Sequence, residues 1–238
     1  MMAGKNNNRA VSGPLAGVLF LATVLICLAG SLLPVSAAPI KVADYCDDFD
    51  FPNPPTGWSY QWNENGAIGS AANYSDLLWN GVRYDSDGDS GLPDPEPARY
   101  VMLRGNSGHP GFAQGNGNAH DRFAIAGYTI GEPGDYFISD SSFENSSAGG
   151  DGVELRVYVN DVERLARTVD DEGSTNFDMD LGELISGDTI YVAMGPRGND
   201  SYDTTHLDFT VNQVPEPAAV VLLVLGGCLL LWRRRAIA

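Results

Sequence analysis

An all-β fold is predicted for the body of this chain: an antiparallel two-sheet sandwich, jelly-roll-like, flanked by an N-terminal signal helix and a C-terminal hydrophobic helix. Three observations carry that prediction. Apolar and polar residues alternate with period 2 in short runs between Asp44 and Asn212. Turns rich in Gly, Ser and Asp separate the runs, and no stretch of the body shows a helical stripe of ten or more residues. Many short strands, each with one apolar and one polar face, pack as two antiparallel layers, and the body has the length for about eight to ten of them.

Residues 1–37 read as a signal peptide. Lys5 and Arg9 precede an apolar stretch over 15–33, Pro34 ends it, and Val35-Ser36-Ala37 supplies the small residues that a signal peptidase reads. Cleavage after Ala37 is preferred, because cleavage after Ala38 would put Pro39 first in the mature chain. The exported body is assigned to 38–213. It opens on the aromatic strand Gly57-Trp58-Ser59-Tyr60-Gln61-Trp62. Segments 66–97 and 105–121 are long and poorly patterned, and loops of that length in a compact domain commonly carry function. Short strands are expected within 100–104, 123–130 and 136–139.

The later strands are better marked. Val153, Leu155, Val157 and Val159 alternate with Glu154, Arg156, Tyr158 and Asn160, and Asn160-Asp161 turns the chain into 162–169 as a tight hairpin. Phe177, Met179 and Leu181 repeat the alternation, as do Ile190, Val192 and Met194, and finally Leu207, Phe209 and Val211.

The charge is unevenly distributed. Of the −17 total, the body over 39–213 holds 30 acids against nine bases, a local excess of −21. That excludes nucleic acid as a partner, since phosphate needs a basic surface. It fits a self-repelling soluble body that attracts cations. Cys27 and Cys228 lie in the apolar ends, so Cys46 stands alone in the body; a disulfide framework and a Cys-rich zinc site are both excluded, and a buried free thiol is expected.

The tail, 214–238, has three parts. Val214, Pro215, Glu216 and Pro217 precede the fifteen apolar or small residues 218–232, and Arg233, Arg234 and Arg235 follow as stop-transfer charges. Fifteen helical residues span roughly 22 Å, short of the ~30 Å hydrocarbon core. The arginines are expected to stay cytoplasmic, with the acidic body across the membrane. This arrangement resembles the PEP-CTERM sorting signal of Gram-negative bacteria, also catalogued as the ice-binding protein C-terminal domain. The resemblance implies handling by an exosortase and the export machinery. It implies transient anchoring in the inner membrane, then release to the cell surface or extracellular matrix. The second name of the tail does not imply ice binding. Residues 152–212 resemble the last strands of carbohydrate-binding-module-like sandwiches, on pattern alone.

No enzyme is expected. Gly105-Asn106-Ser107-Gly108-His109 is not a nucleophile elbow, there is no His-Glu-x-x-His, and His109, His120 and His206 are far apart in sequence. Glycoside hydrolysis needs only two facing carboxylates, so a carbohydrate-active enzyme remains the weakest of three readings. The other two are a module binding extracellular polysaccharide and a purely structural surface protein without a small ligand. Exposed aromatics on a concave face favour the first of these; a uniformly polar, anionic surface favours the second.

Two candidate sites follow. Asp85, Asp87, Asp89 and Glu96 occupy positions 1, 3, 5 and 12 of a calcium loop, although Ser90 replaces the required glycine and no helices flank it. A solvated acidic loop is the competing reading, for these and for Asp44, Asp47, Asp48 and Asp50. Trp58, Tyr60 and Trp62 share one face of their strand at a spacing of about 6.5–7 Å, which suits stacking on successive sugar rings. Equally, three such rings suit a core. Trp79 and Tyr84, in the adjacent long segment, can cap either arrangement.

Overall fold

The computed structural model describes residues 38–88, 100–111 and 120–215. The signal helix, the hydrophobic tail helix, Asp89, Glu96, Glu216, Pro217 and the three terminal arginines lie outside the described residues. Residues 38–215 form one compact unit.

The described chain is an antiparallel two-sheet sandwich. Its strands are β1 (Ile40–Asp44), β2 (Trp58–Trp62), β3 (Ser75–Asp76), β4 (Leu78–Trp79), β5 (Tyr84–Asp85), β6 (Met102–Arg104), β7 (Ser107–His109) and β8 (Ala124–Thr129). They continue with β9 (Gly134–Asn145), β10 (Val153–Val159), β11 (Val162–Val169), β12 (Ser174–Thr175), β13 (Met179–Leu184), β14 (Thr189–Pro196) and β15 (Thr205–Val214). A single helical turn, α1 (Tyr45–Asp48), follows β1. One sheet runs β12-β9-β15-β7-β6-β5-β4, with β1 added to β15 and β13 to β9; the other runs β11-β10-β14-β8-β2-β3. The chain passes from one sheet to the other repeatedly, as at β7–β8, β9–β10 and β14–β15, which is the connectivity expected of a jelly-roll-like sandwich.

The alternating runs turn one face inward. Val153, Leu155, Val157 and Val159 of β10 are buried, as are Leu207, Phe209 and Val211 of β15. The hairpin β10–β11 turns at Asn160, whose φ of +52° is a left-handed value that asparagine tolerates. The Asn160 amide ties this turn to the next one, donating to Asp188 Oδ1 at 2.9 Å and accepting from the Thr189 N–H at 3.0 Å.

Three features depart from the sequence reading. β1 was not marked in sequence because it has no clean alternation, and it is recruited by pairing with β15. β9 runs twelve residues, well beyond 136–139, because Asp140 at φ +50° interrupts its period opposite a register shift in β15. The described part of segment 66–97, residues 66–88, holds three two-residue strands, β3 to β5, each too short to show a period.

The aromatic strand is a core strand. Trp58, Tyr60 and Trp62 are 7%, 1% and 5% exposed. Tyr45 of α1 stacks on Phe209 at 5.5 Å and 9°, and meets Trp58 and Tyr60 edge-on at 5.8 and 6.4 Å. The Trp58 indole N–H donates to Asp48 Oδ2 at 3.1 Å, so its one polar group is satisfied. Trp62 lies under the Arg122 guanidinium, 5.8 Å from its ring centroid. The glycan platform read from these three rings is therefore corrected: their faces are spent on packing. Trp62→Ala is expected to lower stability by about 3–5 kcal/mol in denaturant unfolding, the cost of emptying a large buried aromatic site. A loss below about 1 kcal/mol would place the ring at the surface instead.

Candidate functional site

The site begins where β2 lacks a neighbour. β3 pairs only with Gln61 and Trp62, and the Leu77 N–H adds one bond to the Tyr60 carbonyl at 2.8 Å. At the Trp58 end no strand follows; there the Trp58 N–H bonds the Pro55 carbonyl of the preceding loop at 2.9 Å. The chain before β2, from Phe49 to Gly57, carries three prolines and a cis Phe51–Pro52 bond, and it bends back over this edge. Between the two lies a cleft of about 320 Å³. Pro52, Asn53, Pro54, Ser59, Asp76 and Trp79 line it, with Trp58 and Tyr60 at its buried floor.

Trp79 gives the cleft an aromatic wall, and an exposed ring lies against it. Phe51 is 58% exposed and lies flat on Trp79, with centroids 4.7 Å apart and planes 7° apart. Leu78 and Val82 beside them are 50% and 55% exposed. The Trp79 ring is half-buried and tilts against Tyr84 at 5.3 Å; Tyr84 in turn meets Tyr60 at 4.9 Å. A continuous run of rings thus leads from the surface at Phe51 to the core at Tyr60. The Tyr84 hydroxyl donates to the Asp50 carbonyl at 2.9 Å, which fixes the bend of the covering loop.

The hairpin β4–β5 that presents Trp79 is clasped by Asp85. Its Oδ2 accepts from Arg83 Nε at 3.1 Å and from the Asn80 amide, and its Oδ1 accepts from the Gly88 N–H at 2.8 Å. Asn80 Oδ1 closes the turn by accepting from the Val82 and Arg83 N–H groups at 2.9 and 3.0 Å. Burial pushes the Asp85 carboxyl above its ordinary range, while the Gly88 N–H and Arg83 pull it back. A fully buried carboxylate stays charged only with such donors.

The calcium loop read from sequence is therefore described in part. Asp85 is fully buried and engaged with its own turn, Asp87 follows at the surface side, and Asp89 and Glu96 lie outside the described residues. The cluster Asp44, Asp47, Asp48 and Asp50 is local structure. Asp44 Oδ1 caps α1 through the Asp47 N–H at 3.0 Å, and Asp48 Oδ2 holds the Asp44 N–H at 2.9 Å as well as Trp58. Among the described residues no group of three His, Cys, Asp or Glu side chains is placed to hold a metal ion. His206 and Asp208 sit on the outer face of β15. Cys46 is half-buried and its thiol is pushed up by burial, with Sγ donating to the Leu207 carbonyl at 3.5 Å.

A second depression of about 620 Å³ lies over β9 and β13, beside Phe137, Met179, Asp135 and Asp180. It is larger, and its two rings, Tyr136 and Phe137, are neighbours on one strand that point to opposite faces of the sheet. Sequence reasoning named Trp79 only as a cap, and it missed Phe51 entirely. The signal available for Phe51 was its place before Pro52-Asn53-Pro54, where a bulky apolar residue in a proline-rich turn has no strand to bury it.

No family model and no curated protein matches this chain. Several solved structures are similar at low identity. CBM51 from Clostridium perfringens GH95, in complex with methyl-galactose, is 13% identical over 58% of this chain and 95% of that chain, with a TM-score of 0.32. The cleaved adhesin domain of Lys-gingipain from Porphyromonas gingivalis is 14% identical over 74% and 98%, with a TM-score of 0.34. A ruminal GH26 endo-beta-1,4-mannanase is 15% identical over 60% of this chain and 28% of that chain, with a TM-score of 0.27. At these scores the likeness decides neither fold nor ligand, and both stand on this chain's own strands and residues.

Proposed function

We propose that this chain is an exported, noncatalytic surface or extracellular-matrix protein whose body binds a neutral extracellular polysaccharide at the Phe51–Trp79 cleft. The observation that carries the binding half is the exposed Phe51 ring stacked flat on half-buried Trp79, which walls a largely apolar cleft carrying a few polar groups. Contiguous exposed apolar surface rimmed by polar groups marks a binding patch. Sugar rings offer apolar C–H faces to an aromatic plane and hydroxyls to groups such as Asn53, Ser59 and Asp76. Concave sites of this mixed lining, with few polar groups, are typical of small-ligand recognition. The −21 body repels acidic polysaccharides at long range, which selects neutral chains.

The export half rests on the sequence of the two ends. β15 finishes at Val214, so the motif Val214, Pro215, Glu216, Pro217 begins as the sheet ends. A cut there by an exosortase-type enzyme leaves the sandwich whole.

Two measurements test the two halves. In affinity electrophoresis against matrix polysaccharide, Phe51→Ala and Trp79→Ala are each expected to weaken retention at least about tenfold, the usual weight of a stacked aromatic anchor. Phe51→Ala is expected to cost about 1 kcal/mol of stability or less, since the ring is mostly in water. Retention unchanged in both variants would leave a purely structural surface role. For export, intact-mass measurement of protein from the native host's medium is expected to give a chain starting near Ala38 and ending near Pro217. A secreted chain that keeps Arg233, Arg234 and Arg235 would contradict the sorting reading.

A further inference from the structure

Asp203, just before β15, is 0% exposed, and neither of its carboxylate oxygens has a hydrogen-bond partner. Buried polar groups are almost always paired, and a buried carboxylate without a donor or cation carries a heavy desolvation cost. Asp85 in the same body shows the ordinary protein solution, with an arginine, an amide and a backbone N–H on its oxygens. Asp203 has none of these. Arg197, a cation of the same loop, is turned elsewhere: it pairs with Asp170 at 2.7 Å and donates to the Asp151 carbonyl at 3.3 Å.

The surroundings add negative charge. Burial first, and then repulsion from Asp151 and Asp200, push the Asp203 carboxyl up to about 8. The two loops meet closely beside the carboxylate. A Cβ at Gly150 would stand 2.9 Å from the Ser201 carbonyl oxygen and 3.6 Å from Asp203 Oδ1, so only glycine fits there, and both of those oxygens face it where loops 146–152 and 197–204 meet. A Cβ at Gly198 would collide with Asp151 Oδ2, so that carboxylate lies directly over the second loop.

We propose that the junction of loops 146–152 and 197–204 is a calcium site, anchored by Asp203 and completed by the Asp151 and Asp200 charges, backbone carbonyls and water. The donors are all oxygen, which selects a hard cation over zinc or copper. Three side chains do not converge on one point. Calcium accepts that arrangement, because it takes six to eight oxygens and readily counts carbonyls and waters among them. The ion supplies the positive charge that the protein withholds from Asp203, and it ties β9–β10 to β14–β15 at one end of the sandwich. The proposal does not depend on glycan binding at the Phe51–Trp79 cleft.

The test is calorimetric titration of calcium chloride into the chelator-stripped full-length chain. A single saturable site is expected. Asp203→Asn should weaken it about tenfold or more, and Asp151→Asn about threefold, while Asp87→Asn in the acidic loop leaves it unchanged. Asp151 is exposed, so its variant folds and decides the matter should Asp203→Asn lose its native melting transition. Absence of binding at millimolar calcium would overturn the site. So would affinity unchanged in both Asp203→Asn and Asp151→Asn, or lost only in Asp87→Asn.

Discussion

The burial of Tyr45 between the two sheets is the constraint on which the rest of the molecule depends. It sits on the single turn α1, directly after β1, and β1 is bonded to β15. Its ring stacks on Phe209 from one sheet and meets Trp58 and Tyr60 from the other. The hydroxyls of Tyr45 and Tyr60 are buried without partners, at a cost of about 1–3 kcal/mol each. Each ring removes roughly 150–250 Å² from water, which at about 25 cal/mol per Å² contributes about 4–6 kcal/mol. Packing wins. Phe49 then stacks on Tyr60 at 4.6 Å, and only Asp50 separates it from Phe51, which emerges beside Trp79. The core and the surface cleft are thus one aromatic system, and its outer end reaches water because its inner end is anchored.

Two aspartates show how the same side chain takes opposite roles in this body. Asp85 is buried with Arg83, Asn80 and Gly88 around it and works as a clasp on the hairpin that carries Trp79. Asp203 is buried to the same degree with no protein donor at all. The sequence offered no way to separate them. Asp85 lies in an Asp-rich run that resembles a cation loop, whereas Asp203 follows Asn199-Asp200-Ser201-Tyr202, an unremarked turn. Which of two acids needs a cation is decided by the donors that distant segments bring, and those come from tertiary structure.

The legible parts of the fold were those written in local periodicity. β10, β14 and β15 fall where alternation places them, because each turns an apolar face to the core; β11, exposed along nearly all its length, is placed by the Asn160-Asp161 turn instead. β1 and the two-residue strands β3 to β5 were invisible, since pairing with an existing sheet edge needs no pattern of its own. The same limit applied to the cleft. Period 2 put Trp58, Tyr60 and Trp62 on one face but could not say which face was buried; the position of β3 and of the proline-rich loop decided it. Phe51 and Trp79 come from different segments and meet only through folding.

The account's central claim is that the exposed Phe51–Trp79 pair, and not the core rings behind it, is the polysaccharide-binding surface. Hydroxyl-radical footprinting of the chain with and without matrix polysaccharide tests this most directly, because oxidation reports the exposure of each ring separately. The account predicts that Phe51 and Trp79 are oxidised in the free chain and protected in the complex, while Trp58 and Trp62 stay unreactive throughout. Protection mapping to Phe137 over β9 and β13, with Phe51 and Trp79 still oxidised, would contradict it.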